Sequence, residues 1–208
     1  MESGWNWTPE SLTLLGAACL YMISMTLTPG PNNIMLTASG ANYGFRRTLP
    51  HIAGISLGCL FLFVLLALGL GKLFEQFPLL QTGLKLLGSL YLLWLAWKIA
   101  KAPPPVIDLE YQGRPLTWWQ AAGFQFANPK AWVMGITLMA GFLPNQGQLL
   151  FNALLLAGIS ALVVLPCICL WAGLGTAVSR ILKSENHWRW FNRGMGGMTA
   201  ACVVMILQ

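Results

Sequence analysis

The sequence predicts an all-α integral membrane protein: six transmembrane helices in two inverted three-helix repeats, with helices one and four interrupted at Pro/Gly/Asn motifs. Three observations carry this reading. Of 208 residues, 56% are hydrophobic and only 9% charged, against about 25% charged in an ordinary soluble domain. Mean hydropathy is +0.64, and six segments approach the roughly 20 apolar residues needed to cross hydrocarbon. Two of those segments carry breaks, and irregular backbone survives at membrane depth only where it is buried in protein or lines a cavity.

The first segment runs from about Leu12 to Leu27 and continues, past Thr28-Pro29-Gly30-Pro31-Asn32-Asn33, to about Ala41. The second covers about Pro50–Leu70 and the third about Leu79–Ala100. The fourth, about Trp118–Leu143, is interrupted at Asn128-Pro129-Lys130. The fifth covers about Leu149–Val178, with Pro166 placed to kink it, and the sixth about Trp190–Leu207. Lys72–Pro78 and Pro144–Gln148 fit short hairpins. The Pro-rich, charged stretch Lys101–Arg114 divides one polytopic domain, residues 1–208, into halves of about 1–101 and 115–208. Loop 102–114 joins them.

Basic residues gather in three links: Arg46 and Arg47; Lys98, Lys101 and Arg114; Arg180, Lys183, Arg189 and Arg193. The opposite links hold only Lys72, with Lys85 deeper. The positive-inside bias therefore puts the three basic links in the cytoplasm and both termini outside. Three spans per half is an odd number, so related halves must be inverted repeats, and paired interrupted helices are a pointer to a transport site. Trp94, Trp97, Trp118, Trp119 and Tyr91 fit an interfacial aromatic belt. The net charge of +6 is accounted for by topology, with no nucleic-acid partner expected. A cleavable signal peptide is not expected either, since the first ten residues lack Lys and Arg and carry Glu2 and Glu10.

The breaks supply the candidate substrate-binding residues: Pro29, Gly30, Pro31, Asn32, Asn33, Gln125, Asn128, Pro129 and Lys130. Proline suits the first position of a new helix, and asparagine caps one. Each new start would present unpaired backbone donors and a positive dipole end, a seat for a carboxylate. Asn32 and Asn33 add amides, Lys130 a full charge, and Gln125 lies one turn before Asn128 on a similar face. The plain alternative is a proline kink whose asparagines satisfy local carbonyls. Leu12–Thr28 already covers most of a bilayer at about 1.5 Å per residue, which would set the first break nearer the cytoplasm than the midplane.

His51 follows Arg46 and Arg47 by about a turn at the cytoplasmic entry of the second segment. It is the candidate for proton coupling, since histidine titrates near neutral pH; a structural histidine at the interface is the alternative. Gly54-Ile55-Ser56-Leu57-Gly58 matches a hydrolase elbow in letters, but that elbow needs a strand-to-helix turn. Gly54 and Gly58, four apart, instead allow close helix packing. Cys19, Cys59, Cys167, Cys169 and Cys202 sit in apolar runs as small hydrophobes, and no metal site or cofactor is expected from them.

The arrangement resembles the LysE-type amino-acid exporters, including the RhtB branch, over nearly the full chain. The residues that carry the likeness are Thr28-Pro29-Gly30-Pro31-Asn32, Gly44-Phe45-Arg46 with Gly54 and Gly58, Leu87–Lys98, and Phe126-Ala127-Asn128-Pro129-Lys130. The Tyr91-x-x-Trp94-x-Ala96-Trp97-Lys98 stretch looks closest to the branch exporting cysteine and O-acetylserine. Arg47-Thr48 departs from the family, which usually has a glycine there. The resemblance implies an exporter of amino acids in the bacterial inner membrane, driven by the proton motive force, working as a homodimer and not an enzyme. Glu2, Glu10, Glu75, Asp108, Glu110 and Glu185 all lie outside the spans, so no embedded carboxylate awaits a cationic substrate, and neutral amino acids or their derivatives are favoured. A thiol–disulfide carrier would want a cysteine in each broken helix, and the fourth segment has none. A membrane scaffold would not need paired breaks.

Overall fold

A computed structural model describes residues 8–70, 76, 78–103, 114–143 and 148–207. Most of the links at 71–77, 104–113 and 144–147, with Lys72, lie outside the described residues. Within them the chain is helical, without a strand. Helix α1 spans Pro9–Leu27, α2 Pro31–Tyr43, α3 Phe45–Ala67 and α4 Pro78–Ala100. Next come α5 at Trp118–Phe124, a 3-10 turn at Gln125–Ala127 and α6 at Pro129–Phe142. Helices α7 at Leu149–Ile181 and α8 at Glu185–Leu207 complete the order.

Local chemistry explains the boundaries. Thr8 and Ser11 form a reciprocal capping box ahead of Pro9, and Thr117 and Gln120 form another ahead of Trp118. Pro31 and Pro129 each occupy the first turn of a new helix, where the missing donor is harmless. Gly44 ends α2 and begins α3 at φ 81°, ψ 162°, a conformation open to glycine and barred to bulkier residues.

Helices α1, α3 and α7 are long and apolar enough to cross a membrane; Leu86–Ala100 is a shorter apolar helix. Three boundaries differ from the sequence reading. Helix α3 starts at Phe45, so Pro50 lies inside it; the Gly44 turn, not the proline, sets the start. Helix α7 runs unbroken past Pro166 for 33 residues, about 50 Å against a hydrocarbon core of about 30 Å. Helix α8 starts at Glu185, ahead of Trp190.

Helix α7 packs against α1, α2 and α3, while α3 also meets α5 and α6, and α4 pairs with α8. The core gathers Met22, Leu36, Ile55, Leu62, Phe63, Leu92, Leu138, Leu156 and Ile168, all but fully buried. Leu20, Phe61, Leu87, Leu90, Leu162 and Leu170 point outward and are more than half exposed. Apolar surface on that scale matches a lipid environment, since soluble monomers keep such patches small.

Small residues set the closest helix approaches. A Cβ on Gly40 would collide with the Ala172 carbonyl, and one on Gly175 with the Thr37 carbonyl, so α2 and α7 touch backbone to backbone. Gly54 faces Trp118 and Ala121, and Gly58 faces Ala122 and Gln125; the four-residue spacing is indeed a packing device between α3 and α5. Gly175→Leu is expected to destabilise the protein by about 1–3 kcal/mol through overpacking. Gly173→Leu on the same helix, where no atom lies within 4 Å of a built Cβ, should leave the melting temperature in detergent unchanged.

Candidate functional site

The two breaks meet. Lys130, at the start of α6, extends its ammonium to the end of α1, donating to the Thr28 carbonyl, to Thr28 Oγ1 at 2.9 Å and to the Pro29 carbonyl at 3.3 Å. Gly30 gives the lysine room: a Cβ there would stand 2.8 Å from Lys130 Cδ and 3.2 Å from Nζ. Asn32 and Gln125 join the breaks a second time through reciprocal amide bonds of 2.8 and 3.2 Å. Gln125 is fully buried. Its Nε2 also donates to the Ala121 carbonyl, and its Oε1 accepts longer contacts from Asn128 Nδ2 at 3.4 Å and Cys59 Sγ at 3.5 Å.

Asn33 has a different task. Its Nδ2 donates to the Thr26 and Thr28 carbonyls at 2.7 and 2.8 Å. Trp171 on α7 also reaches the Thr26 carbonyl, at 3.3 Å, and Thr28 Oγ1 donates to the Met25 carbonyl, which a proline at 29 cannot serve. For Asn33, then, satisfying local carbonyls is what the side chain does. Lys130 too spends all three of its donors on the first break. Its charge consequently sits beside the start of α2, the helix of the other break.

The two helix starts are unlike. Asn128 caps α6 by accepting from the Lys130 amide at 3.1 Å. No side chain caps α2, so the backbone donors of its first turn, at Asn32 and Asn33, remain available beside the lysine charge. An uncapped helix start next to an ammonium is a carboxylate seat. The helices leading into the breaks also differ: 19 residues in α1, against seven in α5 followed by a three-residue turn.

Between the breaks lies a small cleft with about 370 Å³ of empty space, its open mouth included. Thr26, Gly30, Asn32, Asn33, Asn128 and Lys130 supply its polar side, and Ile55, Cys59, Met134, Val164 and Ile168 its apolar side. No acidic side chain is among the described residues that line it. A smaller apolar space, shared through Cys59, Met134 and Val164, continues toward Met22, Ser56 and Phe63. Of the sequence candidates, Gly30, Asn32, Asn33, Asn128 and Lys130 face this cleft. Gln125 braces it through Asn32, while Pro29, Pro31 and Pro129 shape the backbone beside it. Cys59, Thr26 and Trp171 were missed, since nothing local in sequence distinguishes them from core residues of α3, α1 and α7.

His51 is elsewhere. It lies six residues into α3, about one turn beyond Arg46 and Arg47, 2% exposed, and it lines a separate cavity. The cysteines are free.

The model of the LysE type translocator family matches residues 23–207. The chain belongs to that family. The matched region includes both breaks, and translocators are transporters rather than enzymes. The cysteine/O-acetylserine efflux protein of Escherichia coli (strain K12) is 32% identical over 201 residues, covering 93% of this chain and 97% of the relative. That of Salmonella typhi is 34% identical over 197 residues with the same coverage. The Shigella sonnei protein of the same name is 32% identical over 201 residues. No solved structure matches the chain.

Asn33→Ala is expected to lower stability by about 1–3 kcal/mol, because it strips a donor from buried carbonyls of the break. Asn32→Ala should do less, since Gln125 keeps Ala121 as acceptor and Asn128 as donor. Thermal unfolding of the two purified variants in the same detergent checks the order.

Proposed function

We propose that this LysE-family chain is a secondary transporter that exports amino acids, neutral ones or their derivatives, across the bacterial inner membrane. The observation that carries the proposal is the meeting of the two breaks: Lys130 and Gln125 from the second engage Thr28, Pro29 and Asn32 of the first around one small cleft. The substrate carboxylate sits at the uncapped start of α2 beside the Lys130 charge. Asn32, Asn33, Gln125 and Asn128 form and brace the polar wall, and Pro29, Gly30, Pro31 and Pro129 hold the backbone open. The side chain lies toward Ile55, Cys59, Met134 and Val164. A cationic side chain would find no acidic partner there, so its desolvation would go uncompensated. The relatives are named for efflux of cysteine and O-acetylserine, which supports small neutral amino acids as the substrates.

Six spans in one polytopic domain, residues 1–208, form two inverted halves joined by loop 102–114, with both termini periplasmic and the basic links cytoplasmic. Transport draws on the proton motive force, with His51 as the candidate proton carrier, since the carboxylates among the described residues, Glu10 and Glu185, lie in the first turns of α1 and α8. The working unit is a homodimer in the lipid bilayer.

Radiolabelled O-acetylserine or cysteine efflux from cells tests the site. Asn32→Ala and Lys130→Ala at normal expression are each expected to reduce efflux about tenfold or more, the first by removing a polar wall contact and the second by removing the charge beside the start of α2. Undiminished efflux in both would make the breaks purely structural. For coupling, His51→Gln is expected to flatten the dependence of efflux on external pH in proteoliposomes; an unaltered pH profile removes His51 from the proton path.

A further inference from the structure

The cavity that holds His51 is distinct from the cleft at the breaks. It lies among α2, α3, α4 and the segment before α5, with about 440 Å³ of empty space, open mouth included. Its walls carry Ser39, Asn42, His51, Lys98 and Arg114. Ser39 is already paired with Thr48 at 2.9 Å, and Asn42 exchanges bonds of 2.9 and 3.1 Å with Asn192 on α8. His51 is not served: both ring nitrogens are buried and without a hydrogen-bond partner. An imidazole always carries at least one N–H, and a buried donor left unpaired calls for an occupant that satisfies it. Lys98 and Arg114 border the chamber, the Lys98 ammonium lying 5.3 Å from the Trp94 ring centroid, and no acidic side chain is among the described residues that line it. That chemistry fits a small anion, and a carboxylate can accept from an imidazole, an ammonium and a guanidinium together.

Position adds the second half of the argument. On α2, Met35 lines the chamber two residues after Asn33 lines the cleft; on α3, His51 lines the chamber four residues before Ile55 lines the cleft. The two cavities therefore share α2 and α3, and on α3 their lining residues His51 and Ile55 are about one turn apart. The chamber lies where Lys98 near the end of α4 and Arg114 before α5 come together.

We infer that the His51 chamber is a second binding station, which takes the carboxylate of the exported amino acid on His51, Lys98 and Arg114 before it reaches the break cleft. The inference rests on the amino-acid export reading. It makes the chamber the loading end of a two-station route and makes a free carboxylate a requirement for entry.

The test is equilibrium binding of radiolabelled O-acetyl-L-serine to the full chain in nanodiscs, with cellular efflux measured in parallel. In Asn32→Ala, which weakens the cleft, a saturable component should persist and should not be competed by the carboxyl-amidated analogue. Adding Arg114→Gln, at an exposed position where folding is not at stake, or His51→Leu should weaken that component about tenfold or more. A residual component indifferent to both substitutions, or absent in Asn32→Ala while wild type still binds and exports, overturns the inference alone. A component lost when phosphatidylglycerol replaces phosphatidylcholine marks a lipid headgroup site and overturns it too. Wild type that neither binds nor exports the amino acid overturns the export reading along with it.

Discussion

The end of α1 is the constraint on which the other elements depend. Two prolines within three residues remove the amides that would have continued the helix, and the carbonyls of the last turn are left to find other donors. Inside a membrane protein water does not freely supply them. Each remedy comes from a different element: Thr28 itself for Met25, Asn33 of α2 and Trp171 of α7 for Thr26, and Asn33 with Lys130 of α6 for Thr28. The break therefore acts as a junction. Four helices must be in place before its backbone is satisfied.

That junction explains why α7 is central and why the glycines lie where they do. Trp171 reaches Thr26 only if α7 lies close to α1 and α2. The bare backbones at Gly40 and Gly175 allow that approach. On the other side, Gly58 lets α3 press on Ala122 and on the stem of Gln125, steadying the amide that pairs with Asn32. Packing and polar satisfaction are here the same arrangement seen from two sides. A side chain added at either glycine contact would disturb the polar cluster before it reached the rest of the core.

The two breaks are chemically complementary rather than equivalent. One helix start is capped by its own asparagine; the other is left open and lies next to a lysine donated across the gap. An inverted pair of interrupted helices would be expected to present two similar ends, yet only one remains free to receive an anion. The apolar wall beyond it, running from Ile55 to Met134 and on toward Phe63, is suited to a short uncharged side chain.

Much of this was determined by sequence alone. Composition specified a membrane protein. Pro29, Gly30, Pro31 and Pro129 specified where helices stop and restart, because a missing amide acts locally and cannot be restored by packing. Family membership was likewise carried by short motifs such as Thr28-Pro29-Gly30-Pro31. Partnerships were not legible in this way. That Lys130 would serve the opposite break, that Asn32 would pair with Gln125, and that Cys59 would reach the same amide all depend on side chains 66 to 102 residues apart meeting in space. That His51 would be buried in a chamber walled by α2, α4 and the segment before α5 likewise depends on elements distant in sequence. Hydrogen-bond satisfaction over long sequence separations is a property of the packed molecule, and only the tertiary structure could decide it.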